Sequence, residues 1–151
     1  MVLIQPCEII VRTLIPSVRA AITRELIERH GLKQVEVAKL LGVTQAAVSQ
    51  YIRGARGGVF DLSRDDSIAS VITRIAEGLA RGSLSRLDAS TLTCEVCYQV
   101  RRRGLYRDSR VKLKGKYEHA LDIVCRDYDS VRDSEKVRRI IESDADSSSA
   151  P

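Results

Sequence analysis

The chain has 151 residues, enough for one compact core or for two small ones that support each other. Its 25 Lys and Arg outnumber 20 Asp and Glu, and the resulting net charge of +5 favours polyanionic partners. No apolar run reaches the roughly 18 to 20 residues needed to cross a bilayer, and Met1 to Ile10 lacks the features of a signal peptide. We therefore expect a cytoplasmic protein with no membrane association.

Apolar residues recur at spacings of three and four along most of the chain, with almost no strand-type alternation. The pattern predicts an all-α fold. Pro6 and Pro16 both suit the first position of a helix, where a missing N–H costs nothing. We therefore predict a short helix from Cys7 to Leu14, a break before Pro16, and a longer helix from Pro16 to about Arg29.

The segment from Lys33 to Gly54 carries the strongest signal in the sequence. Two short helices packed at a steep angle need a small residue at their closest approach and a residue tolerant of positive φ in the turn. Ala38 and Gly42 meet these two needs. The segment also supplies apolar residues that would face inward from both helices, namely Val37, Leu41, Val43, Val48 and Tyr51.

The second helix of this segment is predicted at about Thr44 to Arg53, with Thr44 as its N-cap and Gly54 as its C-terminal stop. Its outward face combines short polar side chains with a small neighbour, and such a face can enter a major groove and hydrogen-bond base edges. An ordinary αα-hairpin in a helical bundle is the alternative. The four residues of this recognition face are Gln45, Ala46, Ser49 and Gln50.

These residues, within a stretch from roughly Pro16 to Leu79, resemble the phage-repressor-like helix-turn-helix proteins of the Cro and C1, or xenobiotic-response-element, type. In that family a Gln opens the first helix of the motif, as Gln34 does, and the recognition helix begins Thr-Gln. The resemblance implies a transcription regulator that binds double-stranded DNA. It implies base contacts by the recognition face, and phosphate or groove-edge contacts by Lys33, Gln34, Thr44, Arg53 and Arg56.

A narrower resemblance rests on Pro6-Cys7-Glu8, the helix end from Glu25 to Gly31, and Thr44 to Tyr51. These segments are similar to archaeal helix-turn-helix regulators, some of which carry a thiamine-phosphate-synthase-like domain after the motif. The chain is too short to hold that domain. The resemblance therefore does not extend to the ligand of that subgroup, and it does not identify an effector for this chain.

After the motif, Arg53 to Gly58 is predicted to form a flexible basic loop that approaches phosphates, or a mere connector. A helix from Arg64 to Arg81, capped by Asp61 or Ser63, would follow and close the core. Ser83 to Ser85 then forms a polar break. We therefore expect a DNA-binding domain over residues 1–84.

Residues 85–143 are predicted to form a helical dimerisation or sensor region, followed by a disordered tail over residues 144–151. The run from Arg101 to Lys116 is strongly basic, which is typical of a solvated face or of a second phosphate-contacting surface. One recognition helix contacts few base pairs, so we expect a homodimer on inverted half-sites. The helices of this region are predicted at about Asp88 to Arg103, Lys116 to Asp127 and Ser130 to Glu142.

Cys94 and Cys97 form a Cys-x-x-Cys pair, a spacing at which two thiolates reach one zinc ion or an iron–sulfur cluster. Cys125 and Cys7 would complete four ligands if the fold or a dimer partner brought them close. Buried core thiols and a redox-active disulfide are the alternatives. A metal site would make the regulator metal-responsive, and a redox-active disulfide would make it redox-responsive.

Other functional classes receive less support from the sequence. No Ser/His/Asp set, HExxH motif or phosphate-binding Gly-rich loop appears, and the only histidines are His30 and His119, so we expect no enzymatic activity. A protein-interaction adaptor or an antitoxin that retains a helix-turn-helix is the competing hypothesis. Such a protein would bind DNA weakly and a protein partner tightly.

Overall fold

The computed structural model describes residues 6–105 and 135–142. Within these ranges the fold is all-α, as predicted, and contains no strand. The predicted helix over Lys116 to Asp127 and the tail over 144–151 lie outside the described residues. The helices are α1 (Pro6–Glu28), α2 (Gln34–Leu41), α3 (Gln45–Ile52), a 3-10 turn (Leu62–Arg64), α4 (Asp66–Arg81), α5 (Arg86–Arg102) and α6 (Glu135–Glu142).

Helix α1 runs without a break through Pro16, so the predicted interruption before this residue is wrong. A proline inside a helix removes one hydrogen bond to the carbonyl four residues earlier. Leu14 and Val18, on either side of Pro16, are both buried in the same core, and this packing holds the two halves in line. The Ser17 hydroxyl also donates to the carbonyl of Thr13 at 2.9 Å, which adds a bond across the same turn.

Helices α1 and α4 form the centre of the core, and α2, α3 and α5 pack around them. The apolar side chains of α1 recur every fourth residue, which places them on one face. Helix α5 begins beyond the polar break at Ser83 to Ser85 and contributes to the same core. The fully or nearly buried members of this core include Leu26, Val37, Val48, Ile68, Ile75, Leu92, Val96 and Val100.

Helix α4 begins at Asp66, and its cap is Asp65, which corrects the prediction of Asp61 or Ser63. The Asp65 carboxylate accepts hydrogen bonds from the N–H groups of Ser67 and Ile68 at 3.1 and 3.2 Å. It also pairs with the guanidinium of Arg103, the residue that caps the end of α5. Burial alone would raise the pKa of Asp65, but these bonds lower it below its ordinary value. The start of α4 lies later than predicted because the 3-10 turn, with Leu62 buried, precedes the α-helix.

Helix α5 begins at Arg86, two residues before its predicted start. Its N-cap is Ser85, whose hydroxyl accepts from the N–H of Asp88 at 3.1 Å, and the Asp88 carboxylate accepts from the Ser85 N–H in return. Helix α6 packs on α5, with Val137 buried, and lies within the helix predicted over Ser130 to Glu142. None of the described helices combines the length and apolar composition needed to cross a bilayer.

Candidate nucleic-acid interface

The turn between α2 and α3 has the geometry that the sequence predicts. Gly42 adopts φ of 64° and ψ of 35°, in the left-handed region, directly after the last residue of α2. The next N–H, from Val43, bonds to the carbonyl of Ala38 at 3.0 Å and closes the helix end. A side chain in this conformation costs roughly 1 to 2 kcal/mol, which accounts for glycine at this position.

The inward faces of α2 and α3 are apolar, as predicted. Tyr51 is only 1% exposed and packs against two small residues, Ala20 of α1 and Ala47 of its own helix. Because small side chains leave room for the ring, α3 can lie close to α1 at this point. The inward set consists of Val37, Ala38, Val48 and Tyr51, which are buried, and Leu41 and Val43, which are half-buried.

The recognition face lies on the opposite side of α3. A helix turns 3.6 residues per revolution, so positions 45, 46, 49 and 50 share the side away from Ala47, Val48 and Tyr51. Gln45 and Ala46 are exposed, whereas Ser49 and Gln50 are half-exposed. The face carries amide and hydroxyl groups and no charge, so it offers donors and acceptors without repelling a polyanion.

Thr44 precedes this face as the N-cap of α3. Its Oγ1 accepts a hydrogen bond from the Ala47 N–H at 3.1 Å, as the sequence predicts. Thr44 itself is exposed, and the accepted bond leaves its hydroxyl hydrogen available as a donor. The residue can therefore cap the helix and contact a phosphate oxygen at the same time.

The start of α2 holds the first pair of predicted phosphate contacts, exposed Lys33 and half-exposed Gln34. The Glu36 carboxylate already accepts the backbone N–H of Lys33 at 2.7 Å. A carboxylate at this position repels a phosphate near that backbone group. The Lys33 ammonium and the Gln34 amide are therefore better placed than the helix backbone to contact DNA at this end.

The loop after α3 carries exposed Arg53 and Arg56 at the carboxyl end of the recognition helix. The N–H of Arg56 bonds to the carbonyl of Gln50 at 3.3 Å, so the loop folds back on the helix. The sequence predicts a flexible loop, but the structure anchors it to α1, with Gly57 packed against Pro16 and the Phe60 N–H bonded to Ser17 Oγ at 3.2 Å. These anchoring residues have no local sequence signal beyond the Gly57-Gly58 pair.

The cysteines predicted as metal ligands are only partly within the described residues. Cys7 at the start of α1 and Cys94 on α5 are exposed thiols, whereas the thiol of Cys97, one turn further along α5, is buried. Residues 6–105 and 135–142 contain no group of three or more His, Cys, Asp or Glu side chains arranged to hold a metal. Cys125 lies outside these ranges, so the four-cysteine site stays a prediction.

The predicted basic surface from Arg101 to Lys116 is likewise described only in its first five residues. Arg102 and Arg103 are exposed at the end of α5, and the Arg102 guanidinium lies 5.8 Å from the ring centroid of Tyr98. Arg103 is engaged by Asp65 of α4. The start of the basic run therefore contributes to holding α5 against α4.

Comparison with known proteins agrees with this geometry. Residues 24–57, which contain the end of α1, both helices of the motif and the loop after them, match the helix-turn-helix family model, of the Cro and C1 type. No curated protein and no solved structure matches the chain. The chain therefore contains a helix-turn-helix of a type that occurs in DNA-binding regulators.

Proposed function

We propose that this chain is a sequence-specific transcription regulator that acts in the cytoplasm and contacts the DNA major groove with its recognition face. The main support for this proposal is the position of four residues on the outer side of α3, within the segment that matches the helix-turn-helix family: Gln45, Ala46, Ser49 and Gln50. Gln amides can form bidentate hydrogen bonds with adenine, and the Ala46 methyl can contact a thymine methyl.

Cationic and polar groups precede and follow the recognition helix along the chain and support the proposal. Lys33 and Gln34 lie at the start of α2, and Arg53 and Arg56 lie just beyond α3. Contacts from such groups to phosphates fix the orientation of a protein on the duplex without specifying sequence. We assign affinity to these groups and specificity to the recognition face.

We further propose that the protein binds as a homodimer, because one recognition helix covers too few base pairs for useful specificity. Leu87 of α5 is 72% exposed, and such an apolar side chain is suited to an interface in the second half of the chain. Sedimentation of the full chain at micromolar concentration, with and without DNA, tests this point. A monomer under both conditions would contradict it.

Metal or redox control through the cysteines is a separate proposal. Its support is the spacing of Cys94 and Cys97, which lie one helical turn apart on α5. Anaerobic purification followed by a visible spectrum and metal analysis tests it. Stoichiometric zinc, or iron with sulfide, would support a metal-responsive regulator. A colourless metal-free protein would reject the metal site and leave only redox control through a disulfide.

Selection from a random duplex library with the full chain tests the main proposal. We expect enrichment of a defined sequence, bound about 10³-fold or more tightly than a scrambled duplex at physiological salt. Enrichment without any sequence preference would reject sequence-specific regulation. In that case tight capture of a single protein from native lysate would favour the adaptor or antitoxin hypothesis.

A further inference from the structure

An open groove of about 330 Å³ lies between α1, α2, α4 and α5, away from the recognition face. Its floor is aliphatic and comes from four helices, so it is a feature of the folded core and not of one surface loop. Among the described residues, its lining contains no acidic side chain. The apolar part consists of Ile15, Val18, Ile22, Leu40, Leu41, Ile75, Leu79 and Ala89.

Two arginines from different helices line this groove, Arg19 of α1 and Arg86 of α5. Both are exposed, and neither forms an ion pair with an acidic side chain in the described ranges. Arg86 is also the first residue of α5, where the partial positive charge of the helix disfavours a cation. Its placement there is therefore not explained by the stability of its own helix.

We propose that this groove binds a small organic monocarboxylate with an aliphatic body. The carboxylate would be held by Arg19 and Arg86, and the body would lie on the apolar floor. Arg pairs well with carboxylates through charge-assisted hydrogen bonds. Binding pockets commonly combine such a mostly apolar lining with a few polar groups that orient the ligand.

The volume of the groove guides the choice of a probe ligand. At about 30 Å³ for each non-hydrogen atom, as in liquid water, the groove holds roughly ten such atoms. Octanoate, with eight carbons and two oxygens, matches this number and is a suitable probe. Octan-1-ol has the same body without the negative charge, so it isolates the contribution of the two arginines.

The groove is also connected to the helix-turn-helix. Leu40 and Leu41, at the end of α2, belong to its lining. The Nη1 atom of Arg86 lies 3.4 Å from the position that a Cβ on Gly42 would occupy, so this arginine reaches the turn of the motif. A carboxylate that draws Arg86 into the groove would therefore change the surroundings of the turn.

Titration of the ¹⁵N-labelled full chain with octanoate tests the site. We expect saturable shifts of the Leu41, Gly42 and Ala89 amides. Arg19→Gln and Arg86→Gln should each weaken binding about tenfold, the loss expected for one charge-assisted hydrogen bond. The matched control is Arg12→Gln, because Arg12 is an exposed arginine of α1 outside the groove and should leave the affinity unchanged.

The proposal is overturned by the absence of a saturable shift, by equal affinity for octan-1-ol and octanoate, or by unchanged affinity in the folded Arg19→Gln/Arg86→Gln variant. Circular dichroism confirms folding of each variant. If Arg86 serves only to offset the partial negative charge at the end of α2, Arg86→Gln will lower stability and leave octanoate affinity unchanged. That result would also reject the site.

An effector role for this site rests on the proposed DNA-binding function. Saturating octanoate should change the dissociation constant for the selected duplex by about fivefold or more, as allosteric coupling usually does. An unchanged constant would reject the effector role and leave the site itself supported by the NMR titration. If the chain binds no duplex, the effector role and the proposed function are both rejected. The NMR titration alone determines whether the groove binds octanoate.

Discussion

Gly57 packs directly on the backbone carbonyl of Pro16. A Cβ on Gly57 would lie 2.4 Å from that oxygen and 2.6 Å from the Cβ of Ala20, both of which belong to α1. The backbone of Gly57 also has φ of 78°. The contact fixes the loop that follows the recognition helix, and it joins that loop to the part of α1 against which Tyr51 packs.

Gly57→Ala is therefore expected to destabilise the protein by more than the strain of positive φ alone. Gly54→Ala is the matched control, because Gly54 has φ of 72° but nothing within 4 Å of the Cβ position. The control should lower the free energy of unfolding by roughly 1 to 2 kcal/mol. Urea unfolding followed by circular dichroism compares the two variants. Equal losses would show that the loop can move away from α1 at no cost.

Arg53→Ala is expected to weaken binding to all duplexes to a similar extent, because a phosphate contact carries no sequence information. The slope of log affinity against log salt concentration should fall in magnitude by about one for each phosphate contact that is lost. Fluorescence anisotropy at several salt concentrations measures it. Arg81→Ala is the control, since Arg81 is an exposed arginine paired with Glu77 on α4. The interpretation fails if Arg53→Ala changes the preferred sequence and not the slope.

Local sequence signals were sufficient to predict most of the motif. Thr44 caps α3, Gly42 closes α2, and the apolar residues of α3 lie on the side opposite the recognition face. Each of these features depends only on residues a few positions apart in the sequence. The features that the sequence did not predict depend on distant contacts. The Phe60 N–H to Ser17 Oγ bond joins residues 43 apart, and no local pattern announces it.

Two of the misplaced helix boundaries have the same kind of cause. Pro16 is locally a good helix start, but packing of Leu14 and Val18 in one core carries α1 through it. Asp61, Ser63 and Asp65 are all suitable caps, and burial of Leu62 in the 3-10 turn decides among them. Propensity is a weak prior that tertiary packing overrides.

Asp65→Ala is expected to lower the free energy of unfolding by about 0.5 to 2 kcal/mol, because α4 loses its cap. Asp65→Asn should retain the cap and lose only the charge that pairs with Arg103. Thermal or urea unfolding at neutral pH checks this order. If the two variants are equally destabilised, the ion pair and not the cap is the important contact.

The same residue predicts a pH dependence. The pKa of Asp65 in the folded protein lies below its ordinary value of 3.8, so the carboxylate binds fewer protons in the folded state than in the unfolded state. Its contribution is therefore complete above about pH 5 and is lost as the pH falls through the folded pKa. The stability difference between wild type and Asp65→Asn should be constant from neutral pH to about 5 and shrink below about 4. A difference that grows on acidification would contradict this assignment.

The most direct test of the account is the base discrimination of the Gln45→Ala and Gln50→Ala variants. Each should lose about 1 to 3 kcal/mol of discrimination at one base position per half-site, with unchanged circular dichroism. Ser70→Ala, an exposed substitution on α4, is the control. Affinities for the selected duplex and its single-base variants supply the measurement. The account predicts loss of preference at separate positions, and full retention of wild-type preference by both variants would contradict it.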